Sequence, residues 1–188
     1  RGVEFAPAIN GELPTPPKLA LIVRKDAASG AWLDENGADW SAFVAWDVLD
    51  HDLAFIDVDT LAVTYVGGLM TTDMALVNAG PSGMAVVGTE ALNEVRFEPN
   101  VNSRFVRVRL ARVDPAPGGG KALSDLNPHL DYAQATRPQS ERALSLGDPR
   151  ALVYRADGQR AWVAGMGSNN VVAIDAQGRR VGAPIAVG

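Results

Sequence analysis

Residues 74–97, MALVNAGPSGMAVVGTEALNEVRF, and residues 150–173, RALVYRADGQRAWVAGMGSNNVVA, carry one pattern at a constant offset of 76. Ala75, Leu76 and Val77 fall on Ala151, Leu152 and Val153. Ala85 and Val87 fall on Ala161 and Val163, and Asn93 and Val95 on Asn169 and Val171. Each stretch reads as an apolar strand, a glycine-containing turn, a second strand closing on a small residue, a polar loop with asparagine, then a third strand. A weaker echo lies upstream, where Leu53, Ile56 and Asp57 match Val171, Ile174 and Asp175 at an offset of 118. The two offsets leave 42 residues between the first and second units, close to the ~40–45 of one four-stranded unit in radially repeated β proteins.

The rest of the chain agrees with a strand reading. Nineteen glycines and twelve prolines punctuate its 188 residues. Between them lie short runs rich in β-branched residues: Leu19–Val23, Phe43–Val48, Leu53–Val58, Leu61–Val66, Phe105–Leu110 and Val171–Ile174. From Phe105 to Arg112 the alternation puts Val106, Val108 and Leu110 on one face and Arg107 and Arg109 on the other, solvated one. Residues 113–146 interrupt the repeat, opening with Asp114-Pro115-Ala116-Pro117-Gly118-Gly119-Gly120 and adding Pro128 and Pro138. Loop-closure entropy grows slowly with length, so an insertion of this size is tolerated.

These observations predict an all-β fold, a β-propeller made of four-stranded antiparallel blades. Blades are expected at approximately 19–69, 70–112 and 147–188, with the insertion at 113–146. The whole forms an incomplete segment of about three to four blades. Such sheets bury their faces against one another, so Trp32, Trp40, Trp46 and Trp162 are expected to fill the gaps between them. A six-to-eight-stranded sandwich is the competing architecture, because the boundaries before residue 50 are indistinct. The chain begins at Arg1 with no signal-like segment, which reads as a processed or excised piece.

Composition removes several chemistries. With no cysteine there is no disulfide, thiolate zinc site, iron–sulfur cluster, cysteine nucleophile or covalent haem attachment in this chain. A net charge of −5 argues against nucleic acid as partner, since phosphate neutralisation needs clustered cations. Arg104, Arg107, Arg109 and Arg112 form the basic cluster, read as a solvated strand face that an acidic protein partner can also use. No apolar run reaches the ~18–20 residues of a membrane span. Gly118-Gly119-Gly120-Lys121 fails the phosphate-loop pattern, because Pro115 stands where its first glycine belongs and Ala122 where Ser or Thr belongs.

Gly147-Asp148-Pro149-Arg150-Ala151-Leu152-Val153, Ala156-Asp157-Gly158-Gln159-Arg160-Ala161-Trp162-Val163, and Gly167-Ser168-Asn169-Asn170-Val171-Val172-Ala173-Ile174-Asp175, closing on Ala186-Val187-Gly188, resemble one repeat of the YVTN-type bacterial β-propeller family. The likeness covers about forty residues well and 51–97 more loosely. Where that family commonly ends its second strand in aromatic-Val-Thr-Asn, this chain has Trp162-Val163-Ala164-Gly165. The resemblance implies a periplasmic, secreted or cell-surface setting and a ring of about seven blades. It also implies haem only if another domain supplies it.

Candidate site residues follow from repeat geometry. Ligands of such folds sit on loops at one end of the axial channel, here Asp73, Glu90, Asn93, Asp148, Arg150, Asn169 and Asn170. The competing reading makes the asparagines holders of turn backbone. A divalent metal has weak candidates in Asp125, His129 and Asp131, since metal sites need three or more convergent ligands. Asp47, Asp50, His51, Asp52, Asp57 and Asp59 form an acidic cluster without calcium-loop spacing, and Asp57 and Asp175 read as caps of equivalent turns. The expected function is an extracytoplasmic binding or interaction scaffold without autonomous catalysis. It belongs to a larger protein, its partner being another protein or the remaining blades of the parent chain. The alternative is part of a propeller enzyme, a metal-dependent lactonase-like hydrolase or an accessory domain of a haem oxidoreductase.

Overall fold

The computed structural model describes residues 23–26, 28–34, 37–47, 49–94, 104–116, 118–132 and 137–188. The runs at 19–22 and at Val95 and Phe97 lie outside the described residues. The chain forms two units, Arg1–Leu49 with Asn93–Ser103, and Asp50–Leu92 with Arg104–Gly188. In the first, β1 (Arg24–Lys25) pairs antiparallel with β2 (Trp32–Leu33). Trp40 is buried there and its indole N–H donates to Asp34 at 2.9 Å, satisfying two buried polar groups at once. Trp32 and Trp46 pack edge to face.

The second unit is a stack of antiparallel sheets. β3 (Leu53–Ile56) and β4 (Val63–Val66) make a two-stranded sheet. β5 (Thr72–Asn78), β6 (Met84–Glu94), β7 (Arg104–Val113) and β8 (Lys121–Asp125) make a four-stranded meander. After one helical turn, α1 (Gln139–Arg142), β9 (Pro149–Tyr154), β10 (Arg160–Gly165), β11 (Asn170–Asp175) and β12 (Arg180–Ala186) make another. The fold is all-β, built of four-stranded antiparallel blades. The second blade reaches further than its sequence suggests: β8 lies within 113–146, the stretch expected to be wholly insertion. Lys121–Asp125 pairs with Arg109–Val113 across the Pro/Gly-rich turn and so completes the sheet.

Two apolar layers hold the stack together. Ala85, Val87, Val108 and Leu110 face Leu152, Ala161, Val163, Val172 and Ile174 of the β9–β12 sheet. On the other side of the β5–β8 sheet, Val86, Ala111 and Val113 meet Leu53, Phe55 and Val66 of the β3–β4 sheet. The central sheet is therefore buried on both faces, as a blade must be.

The two four-stranded sheets stack in the same sense. A Cβ on Gly80, in the β5–β6 turn, would lie 3.6 Å from the Ala156 carbonyl oxygen in the β9–β10 turn. Arg112, near the end of β7, donates to the Ala176 carbonyl just beyond β11 at 3.1 Å. Equivalent strands thus run the same way, and each sheet presents its front to the back of the next.

Register corrects the ungapped repeat. Asp73 pairs with Gly88 and Ala75 with Val87, leaving Met74 as a bulge; Pro149 pairs with Gly165 and Ala151 with Ala164, leaving Arg150 as the same bulge. First strands correspond at 76, as the sequence suggests, but second strands at 77. Val86 therefore corresponds to Val163, and Val87 to Ala164. The reason is the turn, which holds one residue more between Tyr154 and Ala161 than between Asn78 and Met84. Gly88 and Gly165 then coincide, and both are places where backbone or side chains leave no room for a Cβ.

Candidate functional site

Of the expected channel-end residues, Asp73 lies on β5, Asp148 and Arg150 stand at the start of β9, Glu90 and Asn93 lie on β6, and Asn169 and Asn170 form the turn from β10 into β11. At the 76 offset Thr89–Asn93 falls on Gly165–Asn169, the polar loop with asparagine. Instead β6 continues through it to Glu94, so the backbone of Asn93 is extended strand. Its side chain lies outside the described residues. The turn from β10 to β11 does close tightly, with Asn169 in the left-handed region at φ 48°. Asp148 is left-handed too, at φ 49°, and its carbonyl accepts the Met166 N–H at 2.9 Å. Its carboxylate pairs with Arg150 Nε at 2.8 Å. Glu90 follows on β6, beside the Ala91 N–H that donates to the Thr71 hydroxyl at 2.9 Å.

Asn170 has a structural task. Buried, it donates through Nδ2 to the Ser145 carbonyl at 2.9 Å and accepts from the Ser168 hydroxyl at 2.8 Å. A second buried amide, Asn127, had not been singled out by sequence. Its Nδ2 donates to the Leu146 carbonyl at 2.9 Å while its oxygen accepts the Leu146 N–H at 2.7 Å. Together they pin residues 145–146, the strap that leads into β9. The only sequence hint was an asparagine just before a proline in a segment otherwise poor in apolar residues.

Asp73 is electrostatically the most unusual of the group. Burial first, then the carboxylates of Asp52 and Asp50, push its pKa from 3.8 to about 6. Its Oδ1 is buried and has no hydrogen-bond partner among the described residues. Asp52 is already committed, accepting the Leu69 N–H at 2.7 Å. Asp50 lies against Gly67, where a built Cβ would meet its carbonyl and carboxylate oxygens. Gly67 also lines a groove of about 360 Å³ walled by β3–β4 and the β7–β8 turn, with Phe55, Tyr65, Pro115 and Lys121. Lys121 caps the carbonyls of Gly67 and Gly68.

Asp125 and His129 point to different partners. Asp125 accepts from the Tyr132 hydroxyl at 3.1 Å and from the Asn127 N–H at 2.7 Å. Burial, reinforced by Asp125, pushes the Tyr132 hydroxyl far up and keeps it a donor. Arg107 stacks over the Tyr132 ring at 4.5 Å, so this arginine is not the freely solvated side chain that strand alternation suggests. His129 Nε2 lies 3.1 Å from the Glu141 carbonyl and 3.3 Å from the Ser145 hydroxyl. A nitrogen that donates to a carbonyl carries its proton there and cannot take one from serine. Among the described residues no group of three or more His, Asp or Glu side chains is arranged to hold a metal. Asp57 and Asp175 cap their turns alike, each accepting the N–H two residues on, Asp59 at 3.1 Å and Gln177 at 2.9 Å.

No family model and no curated protein matches the chain. Among solved structures, hydrazine synthase of Kuenenia stuttgartiensis is similar to 65% of this chain, with a TM-score of 0.48 and 16% identity. The match covers 32% of that chain, so the present sequence spans about a third of its length.

Proposed function

We propose that this chain is an extracytoplasmic interaction scaffold of the YVTN-like kind, in which stacked sheets bind protein and catalyse nothing by themselves. One observation carries the reading: the front of the β9–β12 sheet is apolar and, among the described residues, exposed. Val153 is 59% exposed and Ile185 55%, and Trp162, Val171 and Ala173 lie beside them at half burial. An apolar surface spread over four strands is the mark of a surface meant to be covered. Of the channel-end residues, in contrast, Asp148 pairs with its neighbour Arg150 and Asn170 is committed to Ser145 and Ser168. The resemblance of residues 147–188 to periplasmic and surface propellers supports the location.

The test is a photoreactive amino acid placed singly in the chain and irradiated in the extracytoplasmic fraction. At position 153 it is expected to form protein adducts, and at exposed Gln177, in the β11–β12 turn, it is not. Equal yields at both positions reject the scaffold. Metal-dependent turnover of lactones or esters by the purified chain rejects the absence of catalysis.

A further inference from the structure

Among the described residues of the second unit, both ends of the stack expose apolar side chains, and they are the two halves of an interface that the chain already makes once internally. At the front end, Ala151 and Val153 are exposed. Their equivalents one sheet earlier, Ala75 and Val77, are packed in the apolar layer against the β9–β12 sheet. At the back end, β3 corresponds to β11 at the 118 offset, so Ala54 and Ile56 correspond to Val172 and Ile174. Val172 and Ile174 are 1% and 0% exposed against the front of the β5–β8 sheet, whereas Ile56 is 59% exposed. Opposite Ala54 and Ile56 stand Tyr65 and Val63, themselves 54% and 44% exposed. The sense of facing holds as well: Leu53 and Phe55, on the other face of β3, pack toward the next sheet.

From this we infer that two copies of the chain join head to tail, the β9–β12 front of each seated on the β3–β4 back of the other. The inference rests on the scaffold reading and names its partner as a second copy. Same-sense stacking makes the contact heterologous, with different surfaces meeting, and such contacts close into a ring when the rotation allows. A face-to-face pairing of two β9–β12 fronts would instead put like against like and leave both β3–β4 backs open.

The decisive experiment is sedimentation of the full chain and of two variants, Val153→Asp and Ile56→Asp. The wild type is expected to sediment as two chains at micromolar concentration and each variant as one. An equimolar mixture of the variants regains a two-chain species, at least tenfold weaker than wild type, because one of its two contacts remains intact. A single-chain wild type overturns the inference, and so does dimerisation that survives Ile56→Asp. Since the chain contains no cysteine, thiol labelling supplies a readout that does not depend on how the charged variants fold. Val153→Cys and Ile56→Cys should each react more slowly with a maleimide as chain concentration rises, while Gln177→Cys should not. Concentration-independent labelling at all three sites overturns the second copy. Adducts at position 153 whose mass differs from two chains would keep the scaffold and reject this partner, so the two readings fail separately.

Discussion

The sheets β5–β8 and β9–β12 begin with the same Ala-Leu-Val triplet on strands that correspond residue for residue, yet Leu76 is 51% exposed and Leu152 only 6%. Both side chains point to the back of their sheet. Behind Leu152 stands a full four-stranded neighbour; behind Leu76 stands the two-stranded β3–β4 sheet, which covers Val86, Ala111 and Val113 on the inner strands and leaves the first strand bare. Burial in a stacked-sheet protein is thus a property of the neighbour, and identical sequence can be core in one repeat and surface in the next.

Substituting the two leucines is the largest break in the equivalence. Leu152→Ala removes a side chain packed in the main apolar layer and should cost about 3 kcal/mol, by lost transfer energy and the residual cavity. Leu76→Ala, at a half-exposed site, should cost about 1 kcal/mol or less. Urea unfolding of both variants reads the difference. Equal losses would mean that something covers the back of β5 in solution.

A second contrast lies in how the first strands are anchored. β9 is led in by a strap held by Asn127 and Asn170, both buried. β5 enters through Leu69 and Met70, which are apolar anchors. Asn127→Leu keeps the volume but orphans the N–H and carbonyl of Leu146, so about 2 kcal/mol should be lost. Hydrogen exchange at the Leu146 amide should quicken at the same time. A variant as stable as wild type, with Leu146 still protected, would show that the strap is held by its apolar side chain alone.

Most of the strands were legible because alternation and turn residues are local signals, but the β-branched run from Phe43 misled: Phe43 ends a 3-10 turn, Ser41–Phe43, and residues 44–47 join no sheet. The triplet at 75–77 and 151–153 located both first strands correctly. Second strands slipped by one because a turn one residue longer cannot be seen in an ungapped match, and with a side-chain period of two, one residue reverses every facing. Hence Ala85 and Val87 were matched to Ala161 and Val163, which face the opposite way. β8 was missed for a compositional reason: Lys121-Ala122-Leu123-Ser124-Asp125 has only one large apolar residue, as suits an outer strand. At the channel end, repeat geometry singled out Asn170, which proves to hold the strap before β9, whereas Asn127 escaped because its value comes from a contact nineteen residues away.

The smallest expected effect is also the one that most directly separates the two sheets electrostatically. Position 73 corresponds to Pro149, which is buried and cannot ionise, whereas Asp73 has its pKa raised from 3.8 to about 6 by burial and by Asp52 and Asp50. A carboxyl whose folded pKa is raised holds its proton longer in the folded state than in the unfolded one. Its contribution therefore becomes less favourable as pH climbs from about 4 through 6, and the full penalty stands above that. Two pH units correspond to nearly 3 kcal/mol in a dry site, but solvent reaches this group, and about 1 kcal/mol is expected. Asp73→Asn should accordingly be more stable than wild type by that amount at pH 7.5 and indistinguishable from it near pH 4. Urea midpoints at the two pH values suffice. A gain of equal size at both would assign the effect to packing and leave the three carboxylates uncoupled.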